Sequence, residues 1–510
     1  MNINSNLENI KKVNLNKHKI LFLGYGGVAK CVLNYFSYYF NYDIKKIHII
    51  DKDENVLYGP IQNLIPKKNI LFVKIQSENF DYFVLDKFKF KKGDLIIDLT
   101  FASNTYYFVK RCLELDINYI NTSIEDINDN FFGSSIALQQ LLIDNIYNEI
   151  KTKRKITCNV LLEFGQNPGL IQHYIVYAFN ALNKLKNNTT NDIWNIHKLK
   201  HIIDDYKIGT ILVSEIDKMT KKKDNKNDCN NHICNTWSVY GLLGEGSDNT
   251  ELAYGKKNKF IKPKIPNDII DFEKINIFNE TTKDFNKPYE ILFLTELGIN
   301  STLNSICMGI NSNGEIRSEN FEGRLIHHGE MFELANILGE KSPFISYCYK
   351  INKYAEKSLK NYMNKSENSN LLNLKLQINN INDNFIVYDN YDIKDNDKII
   401  GWDSVGCTIY CGKKNIESIF WCGSIMSSND LNILEMFTPT IIQVASGVLS
   451  GISYIMEPSN KNKGKLNPMD LDTQYILSKA TPLLGKFFFT EIPSKHFNKQ
   501  NINFKVDKIL

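Results

Sequence analysis

The sequence predicts an α/β protein: an N-terminal parallel sheet, an inserted α+β region, and C-terminal helices that return to the first sheet. Three observations predict it. Apolar runs alternate with helix-length segments over residues 1–150, longer strand-like runs without regular helices occupy 151–425, and 426–510 reverts to helical patterning. At 510 residues the chain has length enough for two or three well-formed cores.

The first apolar run, Ile20-Leu21-Phe22-Leu23, breaks into Gly24-Tyr25-Gly26-Gly27-Val28-Ala29 and then a helix-patterned segment with Val32, Leu33 and Phe36. Strand, glycine turn and helix in that order open a Rossmann-type dinucleotide-binding domain. Gly24 permits the tight turn, Gly26 lets backbone approach a pyrophosphate, and Ala29 in the third small position allows close helix–strand packing. Tyr25, Gly27 and Val28 complete the cofactor-binding turn, whose following helix offers free N–H groups to phosphate. The second run, Ile47-His48-Ile49-Ile50, ends in Asp51, 27 positions after Gly24. A carboxylate there accepts from a ribose 2′-OH and repels a 2′-phosphate, which favours NAD over NADP.

Further runs at Ile70 to Val73, Leu95 to Ile97 and Tyr119-Ile120 continue the parallel sheet. Asp98, Thr100, Asn121 and Thr122 follow at the carboxyl ends of these strands, the edge where open parallel sheets bind ligands. Position alone leaves open whether they contact a ligand or cap the next helix.

Past residue 150 the runs Thr210 to Ser214, Tyr289 to Leu294, Val405 to Tyr410 and Ser418 to Cys422 predict a largely antiparallel sheet. Helices are expected at Leu431 to Phe437, Pro439 to Met456 and Met469 to Leu484. The middle one carries Gln443, Ser446, Ser450 and Ser453 and reads as a buried helix, with Pro439 in its first turn.

Composition narrows the function. A net charge of +4 without a basic stripe does not suit a nucleic-acid binder. The cluster Lys221-Lys222-Lys223 lies among Asp224, Asn225, Asn227 and Asp228 and reads as a solvated loop. The ten cysteines form no C-x-x-C pair. Cys229 and Cys234 flank His232, but two further ligands are missing, so no metal is expected and reduced, buried thiols of a cytoplasmic protein are. The first 19 residues are polar and charged, unlike a signal segment, and no apolar run reaches membrane-spanning length. Asn-rich patches at Lys184 to Asn191, Asn364 to Asn370 and Asn380 to Asn384 read as surface insertions.

Four tracts in the second region look chemical: Gly165-Gln166-Asn167-Pro168-Gly169, Asn235-Thr236-Trp237-Ser238 running to Gly244-Glu245-Gly246, Ile326-His327-His328-Gly329-Glu330, and Gly401-Trp402-Asp403-Ser404. Each sets a polar or aromatic side chain beside glycine or proline. Glu215, closing the run Thr210 to Ser214, is a fifth candidate. Taken singly, Asn-Pro-Gly is a common turn, a tryptophan is commonly core, and a histidine or glutamate is commonly structural. Their set and order carry the argument.

That order resembles bacterial-type homospermidine synthase, a relative of the saccharopine dehydrogenase group, from Gly24 to near Leu484. The most specific part is Asn-Thr-Trp-Ser-Val with Glu245 eight residues after Trp237, followed later by His-Gly-Glu. The resemblance implies a homodimer that holds NAD and joins two putrescines without net oxidation, an aminobutyl transfer releasing ammonia. Spermidine as a further donor stays open. It implies catalytic or substrate-holding roles for Trp237, Glu245, His328, Glu330, Glu215, Asn167 and Asp98. Asn167 would hold an amine through its side-chain oxygen, and Pro168, Gly169, Thr100 and Thr122 would join the cofactor site. The chain departs from the pattern in its Asn-rich insertions and at Tyr240, where an acid is expected. That position bears on specificity rather than reaction type.

The chemistry suits these residues. A diamine is doubly charged at neutral pH, so burying it calls for carboxylates such as Asp98, Glu215, Glu245 and Asp403. An ammonium or iminium over the Trp237 ring gains on the order of 0.5–2 kcal/mol. His328, titrating in the useful range, is expected to serve as base or shuttle with Glu330 in support. The competing reading is a dehydrogenase of the saccharopine or carboxynorspermidine type, whose carboxylate substrate needs an arginine clamp, with Arg324 the candidate. A non-catalytic NAD-binding regulator is a third, disfavoured by the complete Trp, His and Glu set.

Overall fold

The computed structural model describes residues 7–54, 62–73, 80–100, 104–124, 135–221, 233–263, 269–271, 287–358, 385–387, 399–413, 415–430, 437–496, 502 and 504–506. The expected helix at Leu431 to Phe437 lies outside them except for Phe437. So do Lys222, Lys223, Cys229, His232 and the insertions at Asn364 to Asn370 and Asn380 to Asn384. Tyr240 lies on a described helix, but its side chain is outside the described set.

The chain forms two compact units, Met1–His173 with Ile441–Leu484, and Tyr174–Thr440 with Gly485–Leu510. These differ from the expected boundaries near 150 and 425. Two long helices, α5 and α8 below, each begin in one unit and continue into the other.

The first unit is built from strands β1 (Ile20–Leu23), β2 (Ile47–Asp51), β3 (Ile70–Phe72), β4 (Leu95–Asp98), β5 (Asn118–Asn121) and β6 (Asn159–Leu161). Helix α1 (Gly27–Tyr39) follows β1, α2 (Phe80–Lys87) follows β3, and α3 (Thr105–Leu115) follows β4. Then α4 (Ile136–Lys153) precedes β6 and α5 (Leu170–Asn187) follows it. The strands are parallel in the order β3-β2-β1-β4-β5-β6. This is the doubly wound arrangement, with its switch point between β1 and β4. Every side chain of β1 is buried, as the unbroken apolar run requires of a strand covered on both faces. Asn104 caps α3 and Ser135 caps α4, each accepting from a backbone N–H of the first turn.

The second unit contains β7 (Ile208–Asp217), α6 (Val239–Ser247), β8 (Asn249–Gly255), β9 (Ile269–Asp271), β10 (Tyr289–Leu297), β11 (Ser301–Ile310) and β12 (Ile316–Ile326). It continues with α7 (Gly329–Leu338), β13 (Phe344–Lys350), β14 (Trp402–Cys411) and β15 (Ser418–Ser427). Of these strands' pairings, β7 with β13 is parallel and the others are antiparallel. β7 runs to Asp217, three residues past the expected run, so Glu215 is an interior strand residue.

The chain then enters α8 (Pro439–Met456), β16 (Gly464–Leu466) and α9 (Thr473–Ala480). β16 extends the first sheet beside β6. α8 is long and apolar enough to cross a membrane, yet 89% of it is buried, as expected of a core helix. Not all of the C-terminal part returns to the first unit. β17 (Lys486–Ile492) pairs with β15, and β18 (Phe504–Val506) with β11, which completes an 11-stranded sheet in the second unit.

Strand alternation sorts that sheet's two faces. Leu212, Ile216 and Cys348 join the core with Leu303 and Ile306 of β11. On the same side, Ser214 Oγ lies 2.7 Å from Ser305 Oγ, and Thr408 donates to Ile306 O at 2.6 Å. The opposite face therefore receives Glu215 and Asp217 from β7, Tyr347 and Tyr349 from β13, and Asp403 from β14.

Candidate active site

In the first unit the glycine turn has the features a phosphate needs. Gly24 has φ 81, and its N–H donates to Ile50 O at 2.8 Å. A Cβ there would lie 2.8 Å from Thr100 Cγ2 and 3.0 Å from Leu99 O, so only glycine fits. Gly26 caps α1 with no side-chain hydrogen bond, and a Cβ on it would meet nothing within 4 Å. The helix N-terminus is thus open to an anion. Gly27 does a different job, since its missing Cβ would stand 2.9 Å from Ile441 Cδ1.

Asp51 ends β2 and binds the turn directly. Its carboxylate accepts from Tyr25 N at 2.7 Å and Asp53 N at 3.0 Å. Asp98, expected among the amine-binding acids, is occupied. Thr100 donates to Oδ1 through N and Oγ1, and Tyr119 OH donates to Oδ2 at 2.7 Å. We read it as shaping the Thr100 wall that Gly24 packs against.

The Asn167-Pro168-Gly169 tract is a closed loop before α5. Gly165 N donates to Pro168 O at 2.8 Å, Gly169 N to Gln172 Oε1 at 2.8 Å, and Leu170 N to Gly165 O at 3.1 Å. Thr122, past the end of β5, borders Gly165. Asn167 and Asp98 belong to the first unit and the other five catalytic candidates to the second.

In the second unit, Ser238 caps α6, its Oγ accepting from Gly241 N at 3.0 Å, and Trp237 directly precedes it. The indole lies against Gly241, where any Cβ would overlap the ring. Its Nε1 donates to Tyr349 OH at 3.2 Å. Thr236 anchors the loop: its hydroxyl donates to Asp217 Oδ2 at 2.6 Å and its carbonyl accepts from Thr438 Oγ1 at 3.0 Å.

Glu215 accepts from Tyr347 OH at 2.6 Å, and Tyr347 stacks on Tyr349 with ring centres 5.7 Å apart. Asp217 and Asp403 are direct cross-strand partners, and Thr440 donates to Asp403 Oδ2 at 2.8 Å. Burial, reinforced by Asp217 and Glu245, pushes the Glu215 carboxyl up to about 8 against the Tyr347 hydrogen bond. Burial raises Asp217 to about 6, with Thr236 and Met219 N opposing. It also raises Asp403, and the charges of Glu215 and Asp217 add to the effect.

His328 stands at the N-terminus of α7, with Nε2 3.4 Å from Glu245 Oε1 and Nδ1 3.5 Å from Glu330 Oε1. Its ring packs on Tyr347 at 4.4 Å between centres. Burial lowers its affinity for a proton, but Glu330 and Glu245 outweigh that and raise it to about 10. The two carboxylates thus favour the imidazolium form of His328, against the expectation of a base titrating near neutrality. Among the described residues, none of Glu215, Asp217, Asp403, Glu245 and Glu330 is paired with lysine or arginine.

Asp217, Tyr347 and Tyr349 were not singled out from the sequence. The i, i+2 repeats Glu215/Asp217 and Tyr347/Tyr349 within strands are the signal that could have found them.

Fold and site together define a two-unit protein with a dinucleotide-binding sheet and an acid-lined aromatic site in its second unit. Residues 20–157 match the family model described as Saccharopine dehydrogenase NADP binding domain. Over nine tenths of its length the chain is similar to homospermidine synthases. It is 22% identical to the enzyme of Mesorhizobium japonicum, covering 92% of this chain and 90% of that one. It is 21% identical to the enzyme of Blastochloris viridis, covering 91% and 89%. The homospermidine synthase of Legionella pneumophila, solved in complex with NAD, shares the fold with a TM-score of 0.68 at 21% identity, covering 94% of this chain and 92% of that one.

The His328 assignment is testable by NMR titration of the ring. Its affinity for a proton is raised by folding, so its contribution to stability is full below 6.5 and is lost as pH rises through about 10. The ring signal is expected to remain that of imidazolium at pH 8. A midpoint near 6.5 would remove the two-carboxylate clamp.

Proposed function

We propose that this protein is a homospermidine synthase that joins two putrescines, with loss of ammonia, using NAD held on its first unit. The observation that carries the reading is Trp237 placed among buried carboxylates that have no lysine or arginine partner among the described residues. Such a site is short of positive charge, which a doubly charged diamine supplies.

The first unit fits the cofactor. The uncapped α1 terminus and the open space at Gly26 suit a pyrophosphate, and Asp51 suits an unphosphorylated ribose. Bound NAD would supply reversible hydride transfer, which allows coupling without net oxidation.

The remaining work falls to the chain's own residues. Glu215 and Glu245 hold amine groups, and the Trp237 face favours the cation that develops at the reacting carbon, a gain realised in the transition state. An ammonium must lose a proton before its carbon can give up hydride. Glu215, raised toward neutrality, is the acceptor we assign, while charged His328 keeps Glu245 and Glu330 in place. Asn167 is proposed to hold a substrate amine, and the reading includes a soluble homodimer. The dehydrogenase alternative loses its arginine clamp, because Arg324 Nε donates to Glu356 Oε1 at 3.1 Å and Nη2 binds the same oxygen.

Trp237→Ala is expected to keep bound NAD and lose most turnover, with Trp237→Phe retaining part; equal turnover in wild type and the alanine variant would remove the cation–π role. The pH profile tests Glu215. kcat/KM for putrescine should fall as pH drops below about 8, because Glu215 must be ionised to accept a proton. Diamine amines, like lysine at ~10.4, do not titrate in that range. Glu215→Gln should lower the rate by about 10²-fold or more and abolish this limb. A wild-type profile flat between about pH 6 and 9 would exclude Glu215 as the acceptor.

A further inference from the structure

The two neighbouring histidines at the end of β12 face different carboxylates. His328 meets Glu245 and Glu330, whereas His327, 4% exposed, sits between Asp248 and Glu251. Its Nε2 is 3.3 Å from Asp248 Oδ2 and its Nδ1 3.8 Å from Glu251 Oε2. Asp248 is the C-cap of α6, three residues after Glu245, and Glu251 is a fully buried residue of β8. The same helix end is held at two further points: Gly298 N donates to Asp248 O at 2.9 Å, and Thr250 Oγ1 to Leu325 O at 3.2 Å. A Cβ on Gly298 would lie 2.6 Å from Glu245 O, so the backbone there is closely packed.

We infer that His327 is a positioning residue: by holding Asp248 through Nε2, with its other edge packed beside Glu251, it fixes the C-terminal end of α6 and so holds Glu245 against His328. Because α6 opens at Ser238, beside Trp237, and carries Glu245 near its end, this contact sets the placement of the whole tract from indole to carboxylate. The kinetic consequence rests on the proposed synthase reaction; the geometric one does not.

The experiment uses the full-length protein with His327→Gln, Asp248→Asn, Glu245→Gln and the His327→Gln/Glu245→Gln pair. The first readout is NMR titration of His328, which Glu245 and Glu330 face, with Tyr347 packed on its ring and Glu215 bound to Tyr347. His327→Gln is expected to lower its midpoint by about one unit or more as Glu245 moves away. The second is homospermidine formation. kcat/KM for putrescine should fall about tenfold or more, with KM rising because Glu245 holds an amine, while NAD affinity should be unchanged. The paired variant should be no slower than Glu245→Gln alone, which a general loss of stability would not produce. If His327→Gln does not fold, Asp248→Asn, which preserves shape, is expected to give the same changes. An unmoved His328 titration, or fully additive losses in the paired variant, would overturn the positioning role. A shifted titration in a protein that makes no homospermidine would uphold it and reject the proposed reaction.

Discussion

Buried negative charge on one face of the second sheet is the constraint on which the rest of the site depends. Asp217 and Asp403 face each other across the β7–β14 ladder, with Glu215 two residues from Asp217 on the same strand. Like charges directly opposite are destabilising in a sheet, and more so where water is excluded. The fold tolerates them in two ways. Protonation is favoured, as the raised affinities of all three carboxyls express, and hydroxyl groups of Tyr347, Thr236 and Thr440 donate to them. A bound cation is a third way and would displace protons. The Asp217 bond to Thr236 also anchors the loop that presents Trp237, so the charge cluster is scaffold as well as site.

The first unit uses buried polar groups differently. Asp98 is held by Tyr119 and Thr100, and Thr100 in turn forms the wall against which Gly24 packs. Asp51 fastens the turn from the other strand through Tyr25 N. The phosphate-facing turn is thereby preorganised from both sides of the switch point before any ligand arrives.

Much of this was legible in the sequence. The glycine turn, the parallel strands and Asp51 could be read because an unbroken apolar run followed by glycine has few physical meanings. The antiparallel character of the second unit followed from strand-like runs without intervening helices. Glu215 and Asp403 were found as isolated acids, but their common face was not, because it depends on the register between strands distant in sequence. Tyr347 and Tyr349 were missed for the same reason. His328 was read from the sequence as a proton carrier near neutrality; the two carboxylates that favour its charged form come from α6 and α7, a juxtaposition the sequence does not display. The return of the C-terminus was only partly anticipated: β17 is a short aromatic strand whose paired residues in β15 lie 61 to 73 positions earlier.

Product analysis tests the central claim most directly. The purified protein would be incubated with putrescine and substoichiometric NAD, and polyamines and ammonia measured by mass and by enzymatic assay. Homospermidine and ammonia formed in equal amounts, over many turnovers per NAD, is the predicted result. NADH accumulating without homospermidine would contradict it and place the protein among simple dehydrogenases.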